Sequence, residues 1–342
     1  MARSRSALPA VGLLVAAVLC AGAAAAKTNV TSPPGLSLYF HVDSCPQLET
    51  IVRSTVDAAL RQNVRLTAGL LRIFFHDCFP QGCDASIMLE GTNSELLLGP
   101  NVGIQQAALQ LIEDIRVKVH AACGPTVSCA DILVLATRDA VNLAGGPSFT
   151  LPLGRLDSKA PASSSDVFTL PPPTATLDEL LTAFNNKGLS DPADLVALSG
   201  AHTVGKSRCS NFGDRPNPPL DDISRCLGNI CSTGDGSRLR DLDFLTPEVF
   251  DNMYFVALKL NKGVMLNSDE VMAKDGRTDW LVKGFADNHW WFFDQFGTSM
   301  RKMSLLTGPQ GNVGEIRRDS CFRPNRVTNL DAAGEEGLAA SA

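Results

Sequence analysis

The amino-acid sequence predicts a mainly α-helical protein with minimal β-structure. Apolar residues recur every three to four positions through most of the chain, which is the spacing of one face of an α-helix. Runs that alternate apolar and polar residues are scarce, so any sheet is expected to be confined to short hairpins. Proline, glycine and capping residues separate the periodic segments, as they do at helix ends.

The periodic segments predict the helices in chain order. Three amphipathic helices contain the apolar repeats of residues 48–60, 104–119 and 132–143. A fourth follows the capping box Thr176-Leu177-Asp178-Glu179 and stops at Gly188. Further helices are expected from Asp191-Pro192 to Leu198, from Thr246-Pro247 to near Gly263, and over residues 280–303. Residues 158–175 are rich in serine and proline and indicate an extended connection between two helical halves.

The composition is typical of a folded protein and disfavours one class of partner. Hydrophobic residues make up 44% of the 342 residues and charged residues 19%, which argues against a disordered chain. The formal net charge of −6 provides no general attraction to phosphate backbones or anionic lipids. We therefore expect no nucleic-acid partner.

Residues 1–26 have the features of a secretory signal peptide. Arg3 and Arg5 precede the apolar run of residues 11–19, and small, alanine-rich residues follow it. The alternative is a membrane anchor, but a bilayer needs about 20 apolar residues, and neither this run nor a later segment is long enough. We expect a secreted protein without membrane attachment after cleavage, with a glycosylation site at Asn29-Val30-Thr31.

Nine cysteines remain once the signal peptide, which contains Cys20, is removed. Pairing is the expected state of cysteines in the oxidising secretory route. An odd number leaves one of them without a partner. The nine are Cys45, Cys78, Cys83, Cys123, Cys129, Cys209, Cys226, Cys231 and Cys321.

The densest set of candidate catalytic residues lies in residues 70–86. Arg72 and His76 are four positions apart and share one face of a predicted helix within an apolar run. A histidine alone in this setting is more often a hydrogen-bonded core residue. An arginine beside it changes the interpretation, because a base next to a fixed cation suits proton transfer coupled to charge separation.

The second part of the same segment predicts a different site. Asp77, Asp84 and Ser86 supply oxygen atoms around a loop, and the backbone carbonyls of Pro80 and Gly82 complete a possible calcium shell. The alternative is an acidic turn closed by a local disulfide. Zinc is disfavoured, because no Cys-x-x-Cys or His-x-x-x-His pair accompanies the two cysteines of this segment.

A second histidine in an apolar setting, His202, lies in residues 195–205, and taken alone it indicates a structural role. Residues 72–86 and 195–205 together closely resemble the secretory plant peroxidases, the class III haem peroxidases. The resemblance extends from about Leu36 to Cys321. It includes the motifs Ser128-Cys129-Ala130-Asp131, Gly146-Pro147, Gly154-Arg155-Leu156-Asp157-Ser158, Phe250-Asp251-Asn252 and Ser268-Asp269.

The resemblance implies a haem peroxidase fold at residues 27–325. A distal half at about 36–157 and a proximal half at about 176–321 would sandwich one haem b. The chain beyond, residues 326–342, is predicted to be a flexible tail, because it has little to bury. The residues between Asn101 and the next helix depart from the family, since Ile104-Gln105-Gln106-Ala107-Ala108 replaces the common Ser-Leu-Arg-Gly-Phe.

The resemblance also implies a role for each site residue. His202 would be the axial iron ligand and Asp269 the carboxylate behind it. His76 would be the proton acceptor and Arg72 the transition-state stabiliser. Asn101 would fix the tautomer of His76, Phe75 would narrow access to the iron, and Pro147 would contact the phenolic donor.

Two calcium sites and four disulfides follow from the same resemblance. The first calcium site comprises Asp77, Pro80, Gly82, Asp84 and Ser86, and the second Thr203, Asp243, Thr246, Val249 and Asp251. The implied disulfides join Cys45 to Cys123, Cys78 to Cys83, Cys129 to Cys321, and Cys209 to either Cys226 or Cys231. The spacing from Thr246 favours Cys231.

The function implied is that of a peroxidase which reduces hydrogen peroxide and oxidises small phenolic donors in one-electron steps through ferryl intermediates. A monomer in the cell wall or outside the cell is expected, with the vacuole as the alternative compartment. Two rival functions remain open. One is a secreted calcium-binding protein that has lost its activity, although Arg72, His76, His202 and Asp269 are all present. The other is a haem enzyme that acts mainly as an oxidase or catalase.

Overall fold

Helices form the framework of the protein in the computed structural model, which describes residues 32–212, 231, 236–260 and 266–326. The α-helices of this part of the chain are α1 (Leu48–Gln62), α2 (Leu66–Gln81), α3 (Gln106–Cys123), α4 (Cys129–Leu143), α5 (Ser164–Val167), α6 (Leu177–Asn186), α7 (Pro192–Ser199), α8 (Met253–Lys259), α9 (Asn267–Lys274), α10 (Asp279–Asp287) and α11 (His289–Ser304). Two short strands accompany them, β1 (Lys206–Arg208) and β2 (Leu239–Asp241). The predicted mainly α-helical class is confirmed.

Several predictions fall on residues that the structure does not describe. The signal peptide of residues 1–26, the glycosylation site at Asn29 and Cys226, the alternative partner predicted for Cys209, lie outside the described residues. Of the predicted tail at 326–342, only Arg326 is described.

Helix α2 lies at the centre of a group that also contains α1, α3 and α4, which pack against it and against one another. Its buried residues occur on most of its circumference and include Leu70, Ile73, Phe74 and Phe79. A helix that is apolar nearly all round is stable only when neighbours cover it. Each such side chain contributes about 1.5–3 kcal/mol by leaving water.

A second group of helices comprises α7, α8, α10 and α11. It shares one continuous apolar core with the first group. Aromatic rings fill this part of the core, with centroids 4.8 to 5.9 Å apart for Phe250–Phe296, Phe255–Phe292, Phe255–Phe285 and Phe250–Phe292. These rings favour edge-on and offset contacts, which add to the stabilisation from burial.

Capping residues set the helix ends that the sequence predicted in the middle of the chain. The Thr176 side chain accepts a hydrogen bond from the backbone N–H of Glu179, and the Glu179 carboxylate accepts one from the backbone N–H of Thr176. This reciprocal pair is the predicted capping box. Gly188 ends the segment at φ 73°, where a side chain would be strained.

The predicted helix start at Thr246-Pro247 is wrong, because α8 begins at Met253. The Thr246 hydroxyl donates to Asp243 Oδ2 and Asp251 Oδ1, at 3.3 and 3.0 Å, instead of capping a helix. Asp243 Oδ1 accepts hydrogen bonds from two backbone N–H groups of the same turn. The segment therefore folds as turns around two carboxylates. The predicted end near Gly263 lies outside the described residues.

The single helix predicted over residues 280–303 is also wrong, because it is two helices, α10 and α11, with Asn288 between them. Asn288 is extended, with φ −141° and ψ 94°, and its side chain accepts a hydrogen bond from Trp291 N at 3.1 Å. Asparagine is a good N-cap, so it ends one apolar repeat and starts the next without interrupting the periodicity.

Four disulfides join the described cysteines in the pairs that the resemblance implied: Cys45–Cys123, Cys78–Cys83, Cys129–Cys321 and Cys209–Cys231. The bridge from Cys129 to Cys321 spans 192 residues and ties the start of α4 to the end of the described chain. The only sheet among the described residues pairs β1 with β2 in antiparallel register, with Lys206 opposite Asp241. Within the described ranges, every helix is too short or too polar to span a membrane.

We expect Thr176→Ala to lower the free energy of unfolding by about 1 kcal/mol, because α6 loses the hydroxyl that satisfies a free N–H in its first turn. Urea unfolding followed by circular dichroism measures the change. Thr176→Ser retains the hydroxyl and is the matched control. Equal stability of the alanine and serine variants would contradict the role of the capping box.

Candidate active site

Helix α2 places Arg72 and His76 one turn apart on a face that retains partial exposure. The Arg72 guanidinium donates from Nη2 to the backbone carbonyls of Pro100 and Val102, at 3.1 and 3.3 Å. Burial, and then the charge of Arg208, lower the pKa of Arg72. Arginine remains protonated in proteins even so, and the two carbonyls hold this cation in a fixed place.

The ring of His76 is oriented by Asn101, which ends the short 3₁₀ turn Gly99–Asn101. His76 Nδ1 lies 2.7 Å from Asn101 Oδ1, and Asn101 Nδ2 donates to the Glu95 carbonyl at 2.9 Å. Because the amide nitrogen is used by Glu95, the amide oxygen faces the ring and accepts from Nδ1–H. The remaining ring nitrogen, Nε2, therefore has its lone pair available.

His76 is a neutral base at ordinary pH. Burial and the neighbouring Arg72 charge lower its pKa to about 4, against the opposing effect of the Asn101 hydrogen bond. A general base must be unprotonated at the working pH, and its pKa sets the pH below which it fails.

His202 lies just after α7, in the 3₁₀ turn Gly200–Thr203, and a buried carboxylate fixes its orientation. Its Nδ1 is 2.9 Å from Asp269 Oδ1. Asp269 is 1% exposed and also accepts hydrogen bonds from Tyr254 Oη at 2.8 Å and from Leu266 N at 3.2 Å. Burial lowers the pKa of His202, but the charge and hydrogen bond of Asp269 outweigh it and raise the pKa overall.

These contacts fit an iron-binding histidine. Metal-ligating histidines commonly donate the other ring N–H to a carboxylate, which fixes the ring and makes the free nitrogen a stronger ligand. The His202 side chain keeps 37% of its surface exposed, although Asp269 and Tyr254 beside it are buried. Among the described residues, the His202 ring has no hydrogen-bond partner other than Asp269. Its Nε2 is thus free to bind a metal from the exposed side.

The predicted first calcium site contains buried oxygen atoms that lack partners. Asp77 Oδ1 and Ser86 Oγ make no hydrogen bond, although both are buried. Asp77 Oδ2 accepts from Ala85 N at 3.0 Å, and Asp84 Oδ1 accepts from Ser86 N at 3.0 Å. Burial and the neighbouring Asp84 raise the pKa of Asp77 well above its usual range. A cation would satisfy these oxygens and favour the ionised carboxylates, so the residues fit calcium.

The carbonyl of Pro80 has an additional partner at this site. Pro80 lies in the last turn of α2, where carbonyl oxygens accept no hydrogen bond from an N–H of the same helix. Lys187 Nζ donates to this carbonyl at 2.5 Å and lies 5.7 Å from the centre of the Phe79 ring. A carbonyl oxygen has two lone pairs, so the hydrogen bond leaves one of them for a cation.

The predicted second calcium site brings four side chains together. The hydroxyls of Thr203 and Thr246 each lie within 3.0 to 3.3 Å of Asp243 Oδ2 and Asp251 Oδ1. Burial raises the pKa of Asp243, and the charge of Asp251 adds to the effect. Two carboxylates that converge on two hydroxyls fit a hard cation. Val249, the fifth predicted ligand, lies between Thr246 and Asp251 in the same turn.

No cluster of three or more His, Cys, Asp or Glu side chains suited to a metal occurs in the part of the chain that the structure describes. Each predicted calcium set has only two carboxylates, and its other ligands are hydroxyl and carbonyl oxygens. Such mixed oxygen sets suit calcium and do not suit zinc, which prefers nitrogen and sulfur ligands.

Two predicted residues have weaker structural support, and one residue was missed. Phe75 lies edge-on to His76 at 5.9 Å and stacks on Phe79 at 4.9 Å, which places it beside the predicted base. Pro147 is half-buried, and its contact with a phenolic donor stays a prediction. Tyr254, which donates a hydrogen bond to the same carboxylate as His202, was not predicted from the sequence.

The comparison with known proteins decides the family. A family model described as Peroxidase matches residues 52–288, which is more than half of the chain. The chain belongs to the peroxidase family. It is 42% identical to the cationic peroxidase SPC4 of Sorghum bicolor over 92% of each chain. It is 41% identical to peroxidase 66 of Zea mays, over 91% of this chain and 95% of the relative. Peroxidase 12 of Arabidopsis thaliana is 40% identical over 89% of this chain and 86% of the relative.

The resemblance to the class III peroxidases of plants is thereby confirmed. The protein is a peroxidase, an enzyme that reduces hydrogen peroxide. Membership of this family implies a haem group and a reducing co-substrate.

Proposed function

We propose that this peroxidase binds one haem b and two calcium ions and oxidises small phenolic donors by one-electron steps. The observation that supports it most is the matched pair of histidines. Each has its Nδ1 bound to a side-chain oxygen, Asn101 for His76 and Asp269 for His202, which leaves each Nε2 free. Only His76 has an arginine on the same helical face.

When bound, haem supplies an iron centre that hydrogen peroxide oxidises and that phenols then reduce. His202 would hold the iron through Nε2. His76 Nε2 would accept a proton from one oxygen of peroxide and return it to the other, and Asn101 would keep Nδ1 protonated during this transfer. The Arg72 cation would stabilise the negative charge that develops on the departing oxygen. Phe75 would limit the approach to the iron, and Pro147 would contact the phenol.

Calcium at the two sites would stabilise the residues that hold the haem. The first site, Asp77, Pro80, Gly82, Asp84 and Ser86, begins at the residue after His76. The second site, Thr203, Asp243, Thr246, Val249 and Asp251, begins at the residue after His202. An ion bound at either site would restrain the backbone next to a catalytic histidine.

We further propose that the protein is secreted as a monomer after removal of residues 1–26, with the vacuole as the alternative destination. The peroxidase domain would comprise residues 27–325, with a glycan on Asn29 and a flexible tail at 326–342. A haem absorbance spectrum and a guaiacol assay, with and without peroxide, test this function against its rivals. A calcium-binding protein without activity would fail the assay, an oxidase would work without peroxide, and a catalase would release dioxygen without oxidising guaiacol.

Substitution of the residues on α2 should separate haem binding from reaction. His76→Ala should bind haem normally and react with peroxide about 10² to 10⁴ times more slowly, since it lacks the base. Arg72→Leu should lose a factor of about 10² to 10³, since it lacks the fixed cation. Stopped-flow absorbance measures both rates, and Arg53→Leu, at an exposed position on α1, is the control. His202→Ala should bind haem poorly, and a normal Soret band in that variant would refute its role as the iron ligand.

The rate of reaction with peroxide should be constant at neutral pH and fall as the pH is lowered through about 4, the pKa of His76. Burial depresses this pKa, so the ring remains an unprotonated base until the pH approaches that value and stops accepting protons below it. Rapid pH jumps followed by stopped-flow mixing avoid acid unfolding. A rate that falls around pH 6.5, the usual pKa of histidine, would contradict the proposed environment of His76.

Removal of calcium should lower the temperature of unfolding and weaken haem retention. A ligand at 100 times its Kd contributes about 2.7 kcal/mol, which chelation would abolish. Differential scanning calorimetry and the Soret band measure the two effects. Asp243→Asn should reduce the calcium dependence of both, whereas Asp279→Asn, which removes a half-buried carboxylate paired with Lys283 outside both predicted sites, should not. Indifference of the unmodified protein to exhaustive chelation would refute both calcium sites.

A further inference from the structure

All three tryptophans of the chain lie at the surface of two neighbouring helices. Trp280 on α10 is 54% exposed, and Trp290 and Trp291 on α11 are 72% and 37% exposed. Single exposed apolar residues are ordinary, whereas neighbouring exposed apolar side chains form a patch of the kind that marks an interaction site.

A continuous series of aromatic rings joins Trp291 to His202. The ring of Trp291 lies 5.0 Å from that of Phe285, which lies 5.3 Å from Phe255. Phe255 lies 4.9 Å from Tyr254, and Tyr254 lies 6.2 Å from His202. The three intermediate rings are fully buried. Trp280 extends the series outward, with its ring 6.1 Å from that of Trp291.

Gly284 allows the contact at the outer end of this series. The Trp291 indole lies against Gly284 on α10, where a Cβ atom would overlap the ring. The absence of a side chain lets the indole rest on the helix next to Phe285, one residue further along. The position of Trp291 is therefore set by packing, although the residue remains 37% exposed.

These rings have the chemistry of a route for electrons. Electron transfer slows steeply with distance, so several short steps are faster than one long step. Tryptophan and tyrosine side chains can lose an electron reversibly, whereas phenylalanine acts only as a medium between them. Tyr254 also donates its hydroxyl hydrogen bond to Asp269 at 2.8 Å, so a proton acceptor is in place when the phenol loses an electron.

We propose that Trp291, with Trp280 against it, is a second oxidation site, at which phenols carried on polymers too large to reach the haem are oxidised. This proposal rests on the proposed function. The donor phenol gives one electron to the oxidised Trp291 and releases its proton to water. The oxidised Trp291 arises when its own electron passes through Phe285, Phe255 and Tyr254 to the centre that peroxide has oxidised. Two donors are oxidised for each peroxide reduced to water.

Trp290 provides a matched control on the same helix. It is the most exposed of the three indoles. Its route to Phe255 passes through two intermediate rings, whereas the route from Trp291 passes through Phe285 alone. The links are 6.2 Å from Trp290 to Phe293, 5.6 Å from Phe293 to Phe292 and 4.9 Å from Phe292 to Phe255. Trp291→Phe and Trp290→Phe thus make the same chemical change at adjacent positions with different access to His202.

The first test detects the oxidised residue directly. The haem-loaded enzyme is treated with peroxide in air without a reducing donor, and tryptic peptides are analysed by mass spectrometry. A tryptophan radical that finds no donor takes up dioxygen, so oxygen addition marks the site. We expect it mainly at Trp291 and Trp280. Direct attack by peroxide from solution would follow exposure and modify Trp290 most, and that outcome, or equal modification of haem-free protein, would overturn the proposal.

The second test compares two donors, guaiacol and phenol groups coupled to dextran. In Trp291→Phe we expect kcat/KM for the dextran-borne phenol to fall about tenfold, with guaiacol oxidation unchanged because this small donor reaches the haem directly. Trp290→Phe should retain both activities. Equal loss in both variants, or no loss in Trp291→Phe, would overturn the proposal. Failure of the unmodified enzyme to oxidise guaiacol would instead refute the proposed function, so the two failures are distinguishable.

Discussion

Hydrogen bonds to the Nδ1 atoms of His76 and His202 determine what these two rings can do. In each case the accepting oxygen is itself held by further contacts. Asn101 is fixed by its donation to the Glu95 carbonyl, and Asp269 by the Tyr254 hydroxyl and the Leu266 N–H. A buried polar group that loses its hydrogen-bond partner lowers the stability of the fold by about 1–3 kcal/mol. Loss of any one group would therefore destabilise the network that orients each ring. Both networks leave the same atom, Nε2, free.

Helix α2 explains why the proposed catalytic residues and the first predicted calcium site occur in one segment. Its apolar circumference is covered by α1, α3 and α4, so the helix cannot shift without exposing core residues. Arg72 and His76 are fixed on this helix, and the buried oxygens of Asp77 and Ser86 follow at its C-terminal end. Groups that need exact relative positions are best placed on rigid elements. The disulfide between Cys78 and Cys83 closes the loop that carries Pro80 and Gly82, two further ligands predicted for this site.

The sequence was sufficient to predict helix ends where hydrogen bonds between neighbouring residues determine them. It was insufficient where residues outside the predicted helix compete for the same hydrogen-bonding groups. The capping box at Thr176 forms as predicted, because its two hydrogen bonds join residues three positions apart. Thr246, which precedes a proline, also has the local appearance of a helix N-cap, but its hydroxyl is bound by Asp243 and Asp251, and the helix starts at Met253 instead. The break at Asn288 left the apolar period intact, so periodicity alone could not reveal it.

The same distinction applies to the candidate site. Arg72 and His76 could be paired from sequence, because a helix brings residues four apart onto one face. Tyr254 and Asp269 could not be paired in that way, since their contact depends on how α8 and α9 pack. The hydrogen bond from Lys187 to the Pro80 carbonyl joins residues 107 positions apart and was equally inaccessible. Family resemblance supplied the partner of His202 but not the residue that supports that partner.

The pKa values of the two histidines are shifted in opposite directions, which agrees with the different roles proposed for them. Burial and the Arg72 cation lower the pKa of His76 to about 4, whereas Asp269 raises the pKa of His202 against the effect of burial. When their environments shift the pKa values of two groups of the same type in opposite directions, the two groups are suited to different roles in proton transfer. A ring beside a cation is a weak base that releases its proton readily, as a proton carrier must. A ring beside an anion is a stronger electron donor, which suits a ligand to iron. If His76 were the iron ligand and His202 the base, the Arg72 cation would lie beside the ligand. Its positive charge would then repel that of the iron.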